Sequence, residues 1–349
     1  MFAKVLAGAA LMSGALLASA TGGSPAESLP LNVGMTQTAT DVGLYVAQKR
    51  GYFREEGLDV NFVVFASAAQ MIAPFASGDL DAAAGAPSAG LYNAVARGID
   101  IRMVADKVSP PPGRPSQTLI VRKDLVDSGR FKGLPDLKGL HVANVGLGSA
   151  ADGTLFKMLE KGGLRMSDVD IVYLGFPQQV LALANKAVDA AVPAEPFTTE
   201  AIRKGLAVPI ITDDQAYPGH EIAVIFYSGA FAKQKPEAAA GFMRAYLRGV
   251  RDFNDALDGN GRLSGDKGEA IVAILTEYTA IKDPDFFRKL KFAACNPDGT
   301  LNIDSIRGDL EIWKSEGQIE HEISAERAID TSFLDAALKE LGPYRPSPR

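Results

Sequence analysis

Residues 77–87 read SGDLDAAAGAP, and residues 185–195 read NKAVDAAVPAE. Laid over each other, Leu80-Asp81-Ala82-Ala83 matches Val188-Asp189-Ala190-Ala191, an offset of 108 residues (189 − 81). Both stretches run from an amphipathic helical pattern into an Asp, then small residues, then a Gly or Pro. A short apolar run without bulky side chains fits a buried strand that packs under helices on both faces. One such step, written twice about a lobe's length apart, predicts two α/β units with the same internal plan.

Outward from each copy, short apolar runs alternate with helical periodicity, the pattern of an α/β protein. Before the first copy, LNVGM (31–35) reads as a strand, DVGLYVAQKRGYF (41–53) as a helix ended at Gly51, and LDVNFVVFA (58–66) as a strand. In SAAQMIAPFASG (67–78), Ala68, Met71, Ile72 and Phe75 share one helical face, stopped by Gly78. The copy itself, LDAAAG (80–85), is a strand, followed by a helix over 88–98 and a strand over 101–107. SPPPGRPS (109–116) then fixes an extended, hydrogen-bond-poor segment, as a crossing between lobes requires. Around the second copy the order recurs. Strands fall at 117–125, 140–146, 169–175, 188–193 and 207–212, with helices at 149–163, 178–187 and 194–205. Leu155, Met158 and Leu159 face inward in the first of those helices. After YPGH (217–220) a strand at 221–231 precedes a mainly helical region running to about Leu341. The expected organisation is a signal peptide (1–20), a flexible leader (21–29), a discontinuous lobe 1 (30–116 plus 221–341), a continuous lobe 2 (117–220) and a tail (342–349).

The bulk numbers agree with that plan. A chain of 349 residues is long for one core, so two compact units are the default. A hydrophobic content of 47% with 22% charged residues is that of a soluble globular protein. A net charge of −6 argues against nucleic acid or anionic membrane surfaces as partners. The N-terminal MFAKVLAGAALMSGALLASA has one cation, Lys4, an apolar run from Val5 to Ala20, and small residues at Ala18 and Ala20. This pattern predicts a signal peptide cleaved after Ala20. Its run of 16 residues (20 − 4) falls short of the roughly 20 that span a bilayer. No Cys lies near the cleavage point, so the expected product is a secreted, soluble protein and not a lipoprotein. Its charge is −7, from 35 basic (36 − 1) against 42 acidic residues. The single Cys295 reads as a buried unpaired thiol.

The candidate binding residues sit in loops at the carboxyl ends of the predicted strands, where open α/β sheets hold their ligands. In TQTATDVG (36–43), Thr38 and Thr40 are free to point outward, while Asp41 is an N-cap or a ligand contact. GAPS (85–88) offers Ala86, Pro87 and Ser88, and AEPF (194–197) offers Glu195 and Phe197. GLGSAADG (146–153) formally fits a dinucleotide fingerprint, but the next strand ends Tyr173-Leu174-Gly175 without the acid that would hold a ribose. What remains is a helix start at which Gly148, Ser149 and Ala150 present backbone N–H groups to an anion or polar head group, or form a plain cap. Ser67 and Gln178 complete the polar set, and Tyr45, Phe176 and Phe197 are available to stack on an aromatic ring. An unpaired Glu195 beside a bound anion would be costly, so it pairs, protonates or is structural.

No catalytic residues, metal or cofactor are expected. The histidines (His141, His220, His321) stand apart from any metal-ligand spacing, and neither G-x-S-x-G nor H-E-x-x-H occurs. DGNG (258–261) and NPDG (296–299) have their glycines misplaced for calcium loops and read as turns.

Four stretches, DVGLYVAQKRGYFREEGLDV, QMIAPFASGDLDAAAGAPSAGLYNAVARGIDIRMVAD, LKGLHVANVGLGSAADGTLFKMLEKGGL and ALANKAVDAAVPAEPFTTEAIRKG, resemble the periplasmic solute-binding proteins of taurine, alkanesulfonate, nitrate and pyrimidine-precursor ABC transporters. The tail NPDGTLNIDSIRGDLEIWKSEGQIE with DTSFLDAALKELG also looks like that family's C-terminal pattern. The resemblance spans nearly the whole mature chain, in order. It implies a type II periplasmic-binding-protein fold, two mixed, mainly parallel sheets flanked by helices and joined by a hinge of two crossings. It further implies a monomer that captures a small organic solute (sulfonate, aromatic carboxylate or pyrimidine-like) and delivers it to a transmembrane permease with its cytoplasmic ATPase. A sensor partner of a membrane receptor would use the same fold. Some relatives are pyrimidine synthases with a cysteine-rich motif, which this chain, with one Cys, lacks.

Overall fold

The computed structural model describes Met1 and residues 28–346. The signal-peptide reading, its cleavage point and the last three tail residues lie outside the described residues.

Among the described residues, ten strands form two five-stranded sheets. The first contains β1 (Leu29–Met35), β2 (Leu58–Val64), β3 (Ala82–Gly85), β4 (Ile101–Val108) and β10 (Ala223–Ser228), in the order β2-β1-β3-β10-β4. The second contains β5 (Thr118–Arg122), β6 (His141–Asn144), β7 (Asp170–Tyr173), β8 (Ala190–Ala191) and β9 (Ala207–Thr212), in the order β7-β6-β8-β5-β9. Each sheet is parallel apart from one strand, β10 in the first and β5 in the second, which pairs antiparallel with both neighbours. The chain passes from the first sheet to the second between Val108 and Thr118 and returns between Thr212 and Ala223. The result is a two-lobed α/β fold with mixed sheets.

The repeated phrase now has a structural meaning: β3 and β8 hold the same third place in the two orders. The Asp before each strand makes the same connections. Asp81 Oδ2 accepts from Asn32 N (3.0 Å), its N–H donates to Asn32 O (3.0 Å), and its carbonyl accepts from Ser228 N (2.9 Å). Asp189 Oδ2 accepts from His141 N (3.1 Å), its N–H donates to His141 O (2.8 Å), and its carbonyl accepts from Arg122 N (2.9 Å). Each carboxylate also meets a cation contributed from beside the antiparallel strand, Lys235 at 3.1 Å for Asp81 and Arg122 at 3.3 Å for Asp189. The Asp thus ties three neighbouring strands together and sets their register, which a purely apolar step would leave weakly specified.

Helices cover both faces of each sheet. One face of the first packs against helices Val42–Lys49, Pro236–Asp255 and Gly265–Tyr278, through Leu31, Val33, Phe242, Leu247, Ile271 and Leu275. The other packs against Ala89–Ala96 and Ile303–Ser315, through Tyr92, Met103, Leu310 and Trp313. The long C-terminal helical region therefore shares the first sheet's core. At the crossing of helices Val42–Lys49 and Pro236–Asp255, a Cβ on Gly249 would run into the Gly43 carbonyl oxygen, so only glycine permits this approach. The second sheet packs Leu155, Met158 and Leu159 on one face, and Phe176, Val180, Leu183 and Phe197 on the other. Cys295 is buried and unpaired.

Candidate functional site

The two sheets point the carboxyl ends of their parallel strands at one another, and the loops there enclose a cavity with an empty volume of about 630 Å³, its open mouth included. The first lobe contributes Thr36, Thr38 and Thr40 after β1, Ser67 after β2, Ala86 and Ser88 after β3, and Lys107 at the end of β4. The second contributes Gly146 and Ser149 after β6, Phe176 after β7 and Ala194 after β8. The two crossings supply the remaining wall, Ser116 and Gln117 from one and Ile222 and Ala223 from the other.

Lys107 is the only charged residue in that wall among the described residues. Its side chain is 2% exposed, and its Nζ lies 2.6 Å from Asp41 Oδ1, on a side chain that is 0% exposed. It also donates to Thr38 Oγ1 (3.2 Å). Asp41 Oδ2 accepts from Thr38 N (2.7 Å) and Thr38 Oγ1 (3.2 Å). Asp41 thus braces the 38–41 loop and neutralises the one ammonium, from behind the cavity wall. Burial of both partners makes the pair far more sensitive to loss of one member than a surface pair would be.

The lobes touch through their loops. Ser88 and Ser149 form an antiparallel bridge, flanked by Ala89 N–H donating to Gly148 O (2.7 Å) and Ala150 N–H donating to Pro87 O (2.9 Å). Ala39 N–H donates to Glu195 O across the cleft (3.1 Å). The two lobes therefore meet directly beside the cavity.

Of the residues predicted from sequence, Thr38, Thr40, Ser67, Ala86, Ser88, Ser149 and Phe176 line the cavity. Others are placed differently. Tyr45 is buried in the first core and stacks on Tyr278, ring centroids 5.1 Å apart, because its helix turns that face toward Gly265–Tyr278. Phe197 lies behind Phe176, stacked at 6.2 Å, and supports it. Gln178 is solvent-exposed on its helix. Pro87, Gly148 and Ala150 serve the inter-lobe backbone contacts. Asp41 is not a wall residue: it makes no side-chain cap of helix Val42–Lys49, closes a capping box with Thr38 and is the counter-ion of Lys107.

The anion cradle expected at the start of helix Ala150–Lys161 is already filled. Gly148 N–H donates to Asp152 Oδ2 (2.7 Å), Ser149 N–H to Gly146 O (3.3 Å), and Ala150 N–H crosses the cleft. Asp152 also takes Asn144 Nδ2 (2.7 Å) and Tyr173 OH (2.9 Å), and burial pushes its carboxyl up to about 6. Glu195 turns away from the cavity to accept Thr199 N (3.2 Å) and Thr199 Oγ1 (3.0 Å), and desolvation pushes it up to about 7.

Sequence reasoning missed Lys107, Ser116 and Gln117. The signal for Lys107 was a cation closing an apolar strand, at the end where doubly wound sheets face their ligands. Ser116 and Gln117 lie in a crossing, where no periodicity marks the inward side. Among the described residues no group of three or more His, Cys, Asp or Glu side chains is placed to hold a metal ion, and no helix is long and apolar enough to cross a membrane.

A family model described as NMT1/THI5 like matches residues 38–255, which is 218 residues (255 − 38 + 1) of the 349. The chain belongs to the NMT1/THI5-like family. No curated protein sequence matches it significantly. Solved structures with the same fold include the periplasmic nitrate-binding protein of Synechocystis PCC 6803, at TM-score 0.74 and 14% identity over 90% of each chain. A zinc-bound ligand-binding component of an ABC-type import system from Staphylococcus aureus matches at TM-score 0.72 and 14% identity, over 89% of this chain and 99% of that one. The alkanesulfonate-binding protein of Xanthomonas axonopodis pv. citri, bound to MOPS, matches at TM-score 0.68 and 18% identity, over 87% and 99%. This NMT1/THI5-like chain shares the two-lobed architecture of these three ligand-binding proteins.

Proposed function

We propose that this protein is the periplasmic solute-binding component of an ABC importer, holding a small organic molecule between its lobes and passing it to a membrane permease with its ATPase. The lobes in this reading are residues 30–116 with 221–341, and residues 117–220. The mature chain is a monomer that begins after Ala20. The observation that carries the reading is the inter-lobe cavity, walled by loops of both lobes and both crossings, with the Ser88–Ser149 bridge closed over it. Its wall consists of hydroxyls, one amide, one ion-paired ammonium and apolar surface, which are groups that hold a solute by shape and hydrogen bonding.

A ligand that binds only the closed, folded form stabilises it by mass action, about 2.7 kcal/mol at 100 times its Kd. A thermal-shift screen over small sulfonates, aromatic carboxylates, amides and pyrimidines is expected to find one class that raises Tm and is recovered unchanged. Consumption of the compound would replace this reading with an enzymatic one.

A further inference from the structure

Gln117 is 2% exposed and lines the cavity, and its side-chain amide makes no hydrogen bond among the described residues. Of the residues in the cavity wall it is the one that carries a buried, unpartnered side-chain polar atom. Its backbone is fully engaged. Its N–H donates to Asp213 Oδ2 (2.8 Å), its carbonyl accepts from Asp213 N (3.0 Å), and it bridges Ala194 of the other strand. The side chain is thus held at the wall by a fixed main chain while its donor and acceptor go unused. Buried polar groups are normally paired, so an orphan on a cavity wall is best explained by a partner that arrives with the ligand. Whichever way round the amide lies, it presents a donor beside an acceptor. That edge is complementary to another edge of adjacent acceptor and donor, as when a glutamine meets the edge of a base.

The charge of the wall narrows the class. Among the described residues Lys107 is its only charged member and is already compensated by Asp41 at 2.6 Å, the helix-start amides are taken by Asp152 and Pro87, and no arginine lines the wall to clamp an anion. A ligand with a full negative charge would enter a site with no uncompensated cation.

Building on the solute-binding reading above, we infer that Gln117 selects the ligand and that the ligand is uncharged, with an amide-like donor–acceptor edge and a flat face that lies on Phe176. An aromatic amide or lactam fits; the isosteric carboxylate or sulfonate does not.

Matched pairs test this in wild-type protein: benzamide against benzoate and benzenesulfonate, nicotinamide against nicotinate, with lactams added, each titrated by calorimetry. At least one uncharged member is expected to bind ten times or more tighter than its anionic counterpart. Gln117→Leu is expected to weaken that probe at least tenfold while raising the Tm of the ligand-free protein, because it removes the unpaired amide. A Gln117 that was merely structural would lower that Tm instead. Should Gln117→Leu fail to fold, Gln117→Met, which keeps the length and removes both donor and acceptor, is expected to show the same loss of binding. Tighter binding of the anions overturns the neutral-ligand inference and leaves the solute-binding reading standing. Undiminished binding by the Gln117 variants overturns the role of Gln117. Binding by no member of the panel counts against both.

Discussion

Replacing Lys107 with methionine isolates the buried charge pair on which the cavity's electrostatics depend. At 2.6 Å and an effective dielectric of about 20, the Lys107–Asp41 attraction is about 6 kcal/mol. Most of that offsets the several kcal/mol lost when each ion leaves water. The pair as a whole therefore adds little stability, but losing one member leaves the other charge stranded. Lys107→Met is expected to cost about 3–5 kcal/mol, the range found when a buried pair is broken. At about 2.1 cal/mol/K of unfolding entropy per residue, 4 kcal/mol lowers the Tm of a chain of 349 residues by about 5 °C. Asp41→Asn in the same chain removes the stranded charge while its side-chain oxygen still accepts from Thr38 N. The double variant is expected to lie within about 1.5 kcal/mol of wild type, giving a coupling of about 2 kcal/mol or more. Urea unfolding of the four proteins, followed by circular dichroism, measures the cycle. A cost below about 1 kcal/mol for Lys107→Met, or simple additivity in the double variant, would refute a dry, mutually compensating pair.

Other expectations follow from buried carboxyls, close contacts and the repeat. Burial pushes Asp213, which is 0% exposed, up to about 6, and raises Glu221 as it faces Asp106. A folded-state pKa raised by about 2 units means that the native state holds more protons than the unfolded one between pH ~4 and ~6, so stability falls by about 3 kcal/mol across that window for Asp213 alone. Thermal unfolding from pH 4 to 8 should show this decline, and Glu221→Gln should make it shallower; a Tm that climbs from pH 4 to 7 would contradict the assignment. Gly249→Ala should destabilise by about 1–3 kcal/mol through overpacking against Gly43, measured by urea unfolding, with no effect on the residues of the cavity. Asp81→Ala and Asp189→Ala should each cost about 0.5–1.5 kcal/mol, since each removes one hydrogen bond at the same place in its own sheet, and their costs should add because they lie in separate sheets. Strong non-additivity between them would mean that the two copies are not independent.

Much of the fold was legible because both signals were local. The alternation of apolar runs and helical periods located each strand of the described residues, and the repeated Asp-Ala-Ala step marked equivalent places in two sheets. The reading erred where tertiary contacts decide. KDL, taken as the end of the β5 strand, turns into helix Lys123–Asp127. The cavity wall was partly legible because an open α/β sheet gathers the loops at its strand ends, which brought Thr38, Ser88 and Ser149 to the wall. It was blind to partnering. Nothing local reveals that Asp152 fills the helix-start cradle, that Asp41 pairs with Lys107 across 66 residues (107 − 41), or that Tyr45 faces the core. Gln117 could not be found, since its importance lies in a partner it lacks.

The claim that the inter-lobe cavity holds the solute is tested most directly by filling it. Ala86 is a partly exposed wall residue, so Ala86→Trp projects an indole into the cavity at limited cost to the core. Calorimetric titration of the tightest solute from the screen into wild type and Ala86→Trp, with circular dichroism to confirm equal folding, compares the two directly. One-to-one binding by wild type and a loss of at least a hundredfold in Ala86→Trp is the expected result. Equal affinity in the two proteins would place the solute elsewhere and contradict the account.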